Sequence, residues 1–213
     1  MVQFQTIEKP VGKGAQTRER ILDIAETNVL QKGFAATSLD EIIFEAGLTK
    51  SGFFYHFRDK TELARALMLR FLDRDKALLD DIWARAEALS EDPLHSFLIA
   101  LKLFADAMDD LPTIHPGCMV ASVAYHEQQF DQGVRQLARE AILAWRIRIR
   151  AHLDRIVGHY ETPADLDLDA LADMLSAVTD GGIVLSKAMG QAELLGRQIR
   201  TMRVLVRTAF LGR

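Results

Sequence analysis

Residues 37–63 read TSLDEIIFEAGLTKSGFFYHFRDKTEL, and their spacing predicts two short helices joined by a tight turn. The first half carries an apolar stripe at the i, i+3, i+4 and i+7 spacing of one helix face: Leu39, Ile42, Ile43 and Ala46. Gly47 follows where a helix ends with a positive φ. Thr49 then offers a side-chain oxygen to cap a second helix, which holds the aromatic run 53–57. This is the pattern of a helix-turn-helix, whose second helix can enter the major groove of DNA.

The run TKSGFFYHF at 49–57, followed by DKTEL at 59–63, resembles the DNA-binding segment of the tetracycline-repressor (TetR) family of bacterial transcriptional regulators. The resemblance extends from residue 17 to about residue 67. It implies a helical body with an internal pocket, whose ligand changes the separation of two DNA-binding heads. It also implies a homodimer formed by the last two helices, so that two recognition helices meet two half-sites of a near-palindrome.

The rest of the chain shows helical periodicity and no strand pattern, so we expect an all-α fold of about nine helices. A polar N-terminal arm with Lys9, Gly12, Lys13 and Gly14 is expected to be unstructured in isolation. The predicted helices outside the motif cover about 17–32, 60–89, a helix starting at 91–93, 118–125, 131–159, 168–189 and 192–211. We expect residues 1–62 to form the arm and a three-helix head that binds DNA. Residues 63–213 would then form the ligand-binding and dimerisation body.

The amino-acid composition is compatible with a DNA-binding protein but does not identify one. The 213 residues include 26 Lys/Arg and 30 Asp/Glu, a net charge of −4, which by itself argues against nucleic acid. Residues 1–70 hold ten basic and nine acidic residues, so the excess of acid lies in the remainder. This asymmetry suits a protein that touches DNA at one end, although chance would explain so modest a difference equally well.

Helix N-termini and their capping hydroxyls can hold phosphate oxygens, and the first turn of the recognition helix can read base edges. Lys50 can donate to guanine, and Gly52 leaves the backbone close to the groove. Three further positions resemble the family's backbone contacts: Tyr55, His56 and Lys60. The predicted DNA contacts are Thr17, Arg18, Ser38, Thr49, Lys50, Ser51, Gly52, Tyr55, His56 and Lys60. The alternative for each is an ordinary cap or a solvated side chain. Phe54 departs from the family, because many members have tyrosine there.

Apolar and aromatic residues of the body are candidates for a ligand pocket, with nearby histidines and Glu127 available to orient a ligand. The candidates are Phe97, Leu101, Phe104, Met108, His115, Cys118, Met119, Tyr125, His126, Phe130, Trp145 and Met174. An apolar stripe at helical spacing is more often core than binding site, so these residues indicate a region. The effector is expected to be a small molecule.

Cys118 is the only cysteine, which excludes an intramolecular disulfide. It follows Pro116-Gly117 at a predicted helix start, where the pKa of a thiol is often lowered. A sensor of electrophiles or oxidants is therefore one hypothesis, with Lys187 as a possible neighbour, and a buried inert thiol is the other.

The last two predicted helices carry apolar stripes that suit a dimer seam. The stripes are Leu171, Leu175, Val178 and Leu185, and Leu195, Ile199, Met202, Val206 and Phe210. Gly181 and Gly182 would permit close backbone approach. The alternative is that both stripes pack only within one chain.

Other classes of protein find little support. The sequence has no Gly-rich phosphate loop, no HExxH, no paired Cys ligands and no Gly-x-Ser-x-Gly. We therefore expect no enzyme activity, cofactor or metal. Without a signal-peptide core or an 18-residue apolar run, a cytoplasmic protein without membrane association is expected. A helical interaction protein that does not bind DNA is the rival hypothesis, and Lys50, Tyr55, His56 and Lys60 argue against it.

Overall fold

The computed structural model describes residues 12–162 and 165–212, which form nine α-helices and no strand. The helices are α1 Lys13–Lys32, α2 Leu39–Glu45, α3 Lys50–Phe54, α4 Lys60–Leu89, α5 Pro93–Asp109, α6 Met119–Tyr125, α7 Gln132–Val157, α8 Leu168–Met189 and α9 Glu193–Leu211. A short 3₁₀ turn, Glu127–Gln129, separates α6 from α7. The predicted all-α fold is confirmed.

Side-chain caps begin the three helices α2, α3 and α4. Each capping oxygen accepts a backbone N–H that the helix itself cannot satisfy, a contact worth about 1 kcal/mol. The bonds run from Glu41 N to Ser38 Oγ (3.1 Å), from Gly52 N to Thr49 Oγ1 (3.1 Å) and from Glu62 N to Asp59 Oδ1 (2.8 Å). Gly47 ends the first helix of the motif with φ of +63°, as its position predicts. These local signals therefore place the helix-turn-helix.

Two predicted helix boundaries are wrong by a turn. Helix α1 begins at Lys13 with Gly12 as its N-cap, so Thr17 lies in the second turn, where its hydroxyl donates to Lys13 O at 3.0 Å. Helix α3 ends at Phe54, so Tyr55 is its C-cap rather than an interior residue. Lys9 of the predicted N-terminal arm lies outside the described residues.

Buried apolar side chains form two clusters. The N-terminal cluster joins α1, α2, α3 and the first part of α4 to α6 and the first half of α7. The C-terminal cluster joins the second part of α4 to α5, α8, α9 and the end of α7. Helix α4 therefore contributes to both clusters.

The residues predicted to form the dimer seam mostly belong to the core of one chain. Leu195, Ile199, Met202, Val206 and Phe210 are all buried against the C-terminal cluster, as are Leu171 and Leu175. The prediction that these seven residues form a dimer seam is therefore wrong, because α9 packs this face against α5 and α8 of its own chain. Of the other two predicted seam residues, Val178 is partly buried against the same cluster and Leu185 is exposed. The remaining exposed apolar residues of α8 and α9 lie off the predicted stripes: Met174, Val184, Met189, Val204, Leu205 and Leu211.

The two adjacent glycines of α8 have different surroundings. A Cβ added at Gly182 would lie 3.2 Å from Leu195 Cα, so this glycine permits the close approach of α9 within the chain. A Cβ added at Gly181 would meet no atom within 4 Å among the described residues. The close approach predicted for both glycines is thus made within the chain at Gly182 only.

His152 packs against Trp83 inside the C-terminal cluster. The two rings stack with centroids 3.6 Å apart and planes 11° from parallel. Burial lowers the pKa of His152 from 6.5 to about 4, against the opposing attraction of Glu87. The imidazole is therefore neutral in the folded protein near neutral pH.

Acid should destabilise the fold through His152. Between pH 6.5 and about 4 the unfolded chain binds a proton at this residue and the folded chain does not, so stability falls as the pH falls. His152→Phe keeps a ring against Trp83 and should flatten this loss. Free energies of unfolding in urea at about pH 7 and about pH 5 measure it. His159→Gln, at an exposed position, is the control, and an unchanged pH slope in His152→Phe would contradict the prediction.

Candidate DNA interface and ligand cavity

The first turn of α3 presents its side chains to solvent. The Lys50 side chain is 72% exposed, and its Nζ lies 3.0 Å from Oδ1 of Asp40 on α2. Thr49 and Ser51 are also exposed, with their hydroxyl oxygens 3.1 Å apart. Lys50 is therefore held toward α2 and yet remains accessible to a polyanion.

Tyr55 and His56 continue this surface beyond the C-terminal end of α3. The Tyr55 side chain is 84% exposed, and its ring meets the His56 ring edge to face at 5.1 Å. A Cβ added at Gly14 would lie 4.0 Å from His56 Cε1, so the first turn of α1 adjoins the same surface. The N-terminus of α1 therefore lies next to the predicted recognition residues. The sequence analysis expected Thr17 to mark this N-terminus.

Arg18, Ser38 and Lys60 have partners within the head. The Arg18 guanidinium lies 4.8 Å from the centroid of the Phe57 ring, and Ser38 caps α2 while remaining exposed. Lys60 Nζ donates to Phe34 O at 2.8 Å and lies 4.6 Å from the centroid of the Phe34 ring. Burial lowers the pKa of Lys60. This lysine ties α4 to the α1–α2 loop, so its replacement would test folding as well as DNA binding.

The structure reveals two surface residues that the sequence analysis did not select. Phe44 on α2 is 84% exposed, one helical turn from Asp40, the partner of Lys50. Apolar side chains can contact the methyl group of thymine. The sequence could have indicated that Phe44 is exposed, because its position lies off the buried stripe that contains Ile42 and Ile43. Phe54, which stands where many family members have tyrosine, is 47% exposed, whereas Phe53 and Phe57 are buried.

A cavity of about 400 Å³ lies between the two clusters. Helices α1, α4, α5, α6, α7 and α8 and the loop after α5 line it, so one space touches both head and body. Its lining residues are Glu26, Leu30, Phe71, Leu72, Arg74, Asp75, Leu78, Phe104, Met108, Leu111, His115, Pro116, Gly117, Cys118, Val120, Ala141, Ile142, Trp145, Ser176, Thr179, Asp180 and Ile183. We refer to this space as the central cavity.

Five of the twelve predicted pocket residues line the central cavity: Phe104, Met108, His115, Cys118 and Trp145. The other seven are not among its lining residues. Phe97 and Leu101 are buried in the C-terminal cluster, Met119 and Phe130 are buried in the N-terminal cluster, and Tyr125, His126 and Met174 are exposed. Phe71 and Leu78 of α4 also line the cavity.

Polar groups are few on the cavity wall. Trp145 Nε1 donates to Asp75 Oδ2 at 2.6 Å across α7 and α4. The half-buried His115 accepts a hydrogen bond from Gly117 N at Nδ1 (3.2 Å), and burial and nearby Lys187 lower its pKa. Burial also raises the pKa of Asp75 and of Asp180. Sequence reasoning missed both carboxylates, since nothing in their local sequence shows that they face one space.

Cys118 does not have the environment that a reactive thiol needs. Burial, together with the neighbouring Asp180 carboxylate, raises its pKa to about 12. The expected lowering at the start of α6 is wrong, because a carboxylate rather than a cation faces the sulfur. Lys187 Nζ instead donates to Leu30 O (3.1 Å) and Pro116 O (2.7 Å). Cys118 is thus mostly protonated at neutral pH, which removes the basis for thiol sensing.

An ion cluster joins α1 to α4 beside the cavity. The Arg70 side chain is only 11% exposed and contacts Glu19, Asp23 and Glu26 of α1. Arg74 contacts Glu26 from the next turn at 3.1 Å. Because Glu26 and Arg74 also line the central cavity, a ligand there would lie directly against the contact between head and body.

The described residues contain no helix long and apolar enough to cross a membrane. Nor do they hold three or more His, Cys, Asp or Glu side chains grouped as a metal site would require.

A helix-turn-helix head on a helical body with an internal cavity defines a DNA-binding transcriptional regulator. Two family models match the chain: "Bacterial regulatory proteins, tetR family" at residues 21–67 and "Tetracyclin repressor-like, C-terminal domain" at residues 98–202. The chain belongs to the TetR family, whose members are ligand-responsive DNA-binding regulators.

Relatives and solved structures agree with this assignment. The probable HTH-type transcriptional regulator ArpR of Pseudomonas putida is 29% identical over 169 residues, 78% of either chain. The HTH-type transcriptional regulator TtgR, also from Pseudomonas putida, is 28% identical over the same share of both chains. In fold, the chain is similar to a TetR-family regulator from Agrobacterium tumefaciens, with a TM-score of 0.75 and 21% identity over 91% of this chain and 98% of that one.

Proposed function

We propose that the protein is a repressor that binds a near-palindromic operator as a homodimer and is released when a small molecule occupies the central cavity. The observation that carries the proposal is the position of the cavity, which is bounded by α1 of the head on one side and by α8 of the body on the other. We assign DNA binding to residues 1–62 and ligand binding and dimerisation to residues 63–213.

The α2–α3 face supports contact with DNA. Lys50, Ser51 and Tyr55 are exposed on one short stretch, and Thr49 places a hydroxyl at the N-terminus of α3. In this proposal Lys50 reads base edges, while Thr49, Tyr55 and His56 contact phosphates and fix the position of the head. Arg18, Ser38 and Lys60 supply further hydrogen-bond donors around this face.

Exposed apolar residues on α8 and α9 support the dimer. Val184, Leu185 and Met189 on α8, and Val204 and Leu205 on α9, leave an apolar surface that the fold of one chain does not cover. Regulators of this family act as dimers. We propose that these side chains, rather than the buried stripes, form the contact between subunits.

Lys187 connects α8 and the cavity loop to α1, and so links the ligand cavity to the DNA-binding head. It extends from α8 to the backbone carbonyls of Leu30 in α1 and of Pro116 in the cavity loop. A ligand that moves the loop or α8 therefore acts on the end of α1 directly. Release requires the ligand to bind the DNA-free shape more tightly, with a coupling of about 1–3 kcal/mol in typical cases.

A gel-shift titration on duplex DNA from upstream of the protein's own gene tests DNA binding. We expect saturable binding whose log affinity falls linearly with log salt, with a slope near −0.9 per phosphate neutralised. Unrelated duplex DNA of equal length is the control. Binding that is absent or independent of salt would favour the rival hypothesis of an interaction protein. Small molecules that raise the melting temperature of the free protein should then be tested for release of DNA.

A further inference from the structure

The charges around the central cavity are unbalanced. Two of its acidic residues, Asp75 and Asp180, lie within ion-pair distance of no cation among the described residues. Glu26, the third, is already engaged by Arg70 and Arg74. Asp75 accepts a hydrogen bond from Trp145, and Asp180 faces the Cys118 thiol.

An uncompensated carboxylate in an apolar space is costly, and a bound positive charge removes that cost. Burial raises the pKa of both Asp75 and Asp180, and at Asp75 it outweighs the more distant attraction of Arg148. Ser176 and Thr179 bring hydroxyls to the same wall of α8. The chain thus provides hydrogen-bond acceptors without a cation paired to them.

The rest of the wall suits an aromatic or alkyl body. Phe71, Phe104 and Trp145 line the cavity, and the last two rings meet edge to face at 5.9 Å. The hydrogen bond to Asp75 fixes the orientation of the Trp145 ring. Aromatic faces also attract cations, and desolvation strengthens this attraction. Both features favour a ligand that is apolar in its bulk and positive at one end.

An anionic ligand finds no comparable partner. Arg74 is the one Lys or Arg among the described lining residues, and it already contacts Glu26 and Asp23. Lys187 is directed to backbone carbonyls, and the lowered pKa of His115 keeps that ring neutral near pH 7. An anion here would have to compete with the contacts that Arg74 and Lys187 already make.

We propose that the central cavity binds a lipophilic organic cation, with its charged group beside Asp180, Asp75 as a second anionic contact, and its apolar body against Phe71, Phe104 and Trp145. This inference rests on the proposed ligand-responsive function and specifies the class of the effector.

Calorimetric titration of the full-length protein, in the absence of DNA, tests the charge preference. The probes are (2-naphthylmethyl)trimethylammonium, neutral 2-naphthylmethanol and anionic 2-naphthylacetate, which share one ring system. We expect the cation to bind at least tenfold tighter than the alcohol, and the acetate to bind most weakly. Absence of cation binding at millimolar concentration, or equal affinity for all three probes, would overturn the proposal.

Asp180→Asn removes the charge and keeps the shape of the side chain. It should weaken binding of the cation at least tenfold and leave binding of the alcohol unchanged. Asp173→Asn is the matched control, because Asp173 lies on the same helix but outside the cavity and pairs with Arg146. If Asp75→Asn/Asp180→Asn retains wild-type affinity for the cation, the assignment is wrong. Thermal unfolding of each variant verifies its fold.

Gel shifts with the same probes separate this inference from the proposed function. Cation binding that depends on Asp180 without release of DNA would leave the ligand class standing and refute the proposed release. Release by the acetate or the alcohol, with no effect of the cation, would support the proposed function and refute the ligand class.

Discussion

Lys50→Ala is expected to weaken operator binding by the dimer by about 2–6 kcal/mol, because each subunit loses one base contact worth about 1–3 kcal/mol. This corresponds to a roughly 30-fold to 20,000-fold rise in Kd. The side chain is 72% exposed, and its one ion pair within the described part of the chain is with Asp40, so the fold should be unaffected. Fluorescence anisotropy with a labelled operator, at one fixed salt concentration, measures the change.

Asp40→Asn is the control for that experiment. It removes the ion-pair partner of Lys50 but keeps the lysine, and an exposed pair of this kind contributes about 0–1 kcal/mol. Affinity should therefore stay equal or increase, since a negative charge near the phosphates is lost. The double variant Lys50→Ala/Asp40→Asn separates the loss of Lys50 from repulsion by the unmasked Asp40. Wild-type affinity in Lys50→Ala would remove Lys50 from the interface.

Phe53→Ala should cost about 3–5 kcal/mol of stability, because it opens a cavity at a fully buried position in the head. The ring contacts Phe57 and Phe54 with centroids 5.9 Å and 5.5 Å away. A loss of this size is a large part of the roughly 5–15 kcal/mol that stabilises a typical domain. We expect a lower urea midpoint by circular dichroism and loss of DNA binding with it.

Phe54→Ala is the matched comparison, on the same five-residue helix and with the same change of side chain. Phe54 is 47% exposed, so the loss should be about 1 kcal/mol, mainly from the edge-to-face contact with Phe53. A larger loss of stability in Phe54→Ala than in Phe53→Ala would mean that α3 packs with another face toward the head.

Features that depend on neighbouring residues were predictable. Gly47 with φ of +63°, the caps at Ser38 and Thr49, and the extent of α4 and α8 all follow from residues within about four positions of each other. The family resemblance added the predicted DNA contacts and the expectation of a dimer. Even so, the start of α1 was misplaced by four residues, because Gly12 and Gly14 favour an unstructured arm and Thr17 resembles a helix cap.

Packing between distant segments was not predictable in the same way. The α9 stripe could serve a partner or its own chain, and only the position of α5 and α8 decides that it is buried internally. The surroundings of Cys118 depend on Asp180, more than sixty residues later, and the Trp145–Asp75 bond spans 70 positions. Such surroundings set the pKa of a thiol or a carboxylate.

The sequence by itself thus determined the helices, the turn of the DNA-binding motif and the class of protein, because helix caps, glycine conformation and apolar spacing act over a few residues. Only the tertiary structure decided which apolar faces remain exposed, where the cavity lies and that two carboxylates enter it without a cation. Burial and charge pairing depend on distances between helices, and spacing along the chain does not contain those distances.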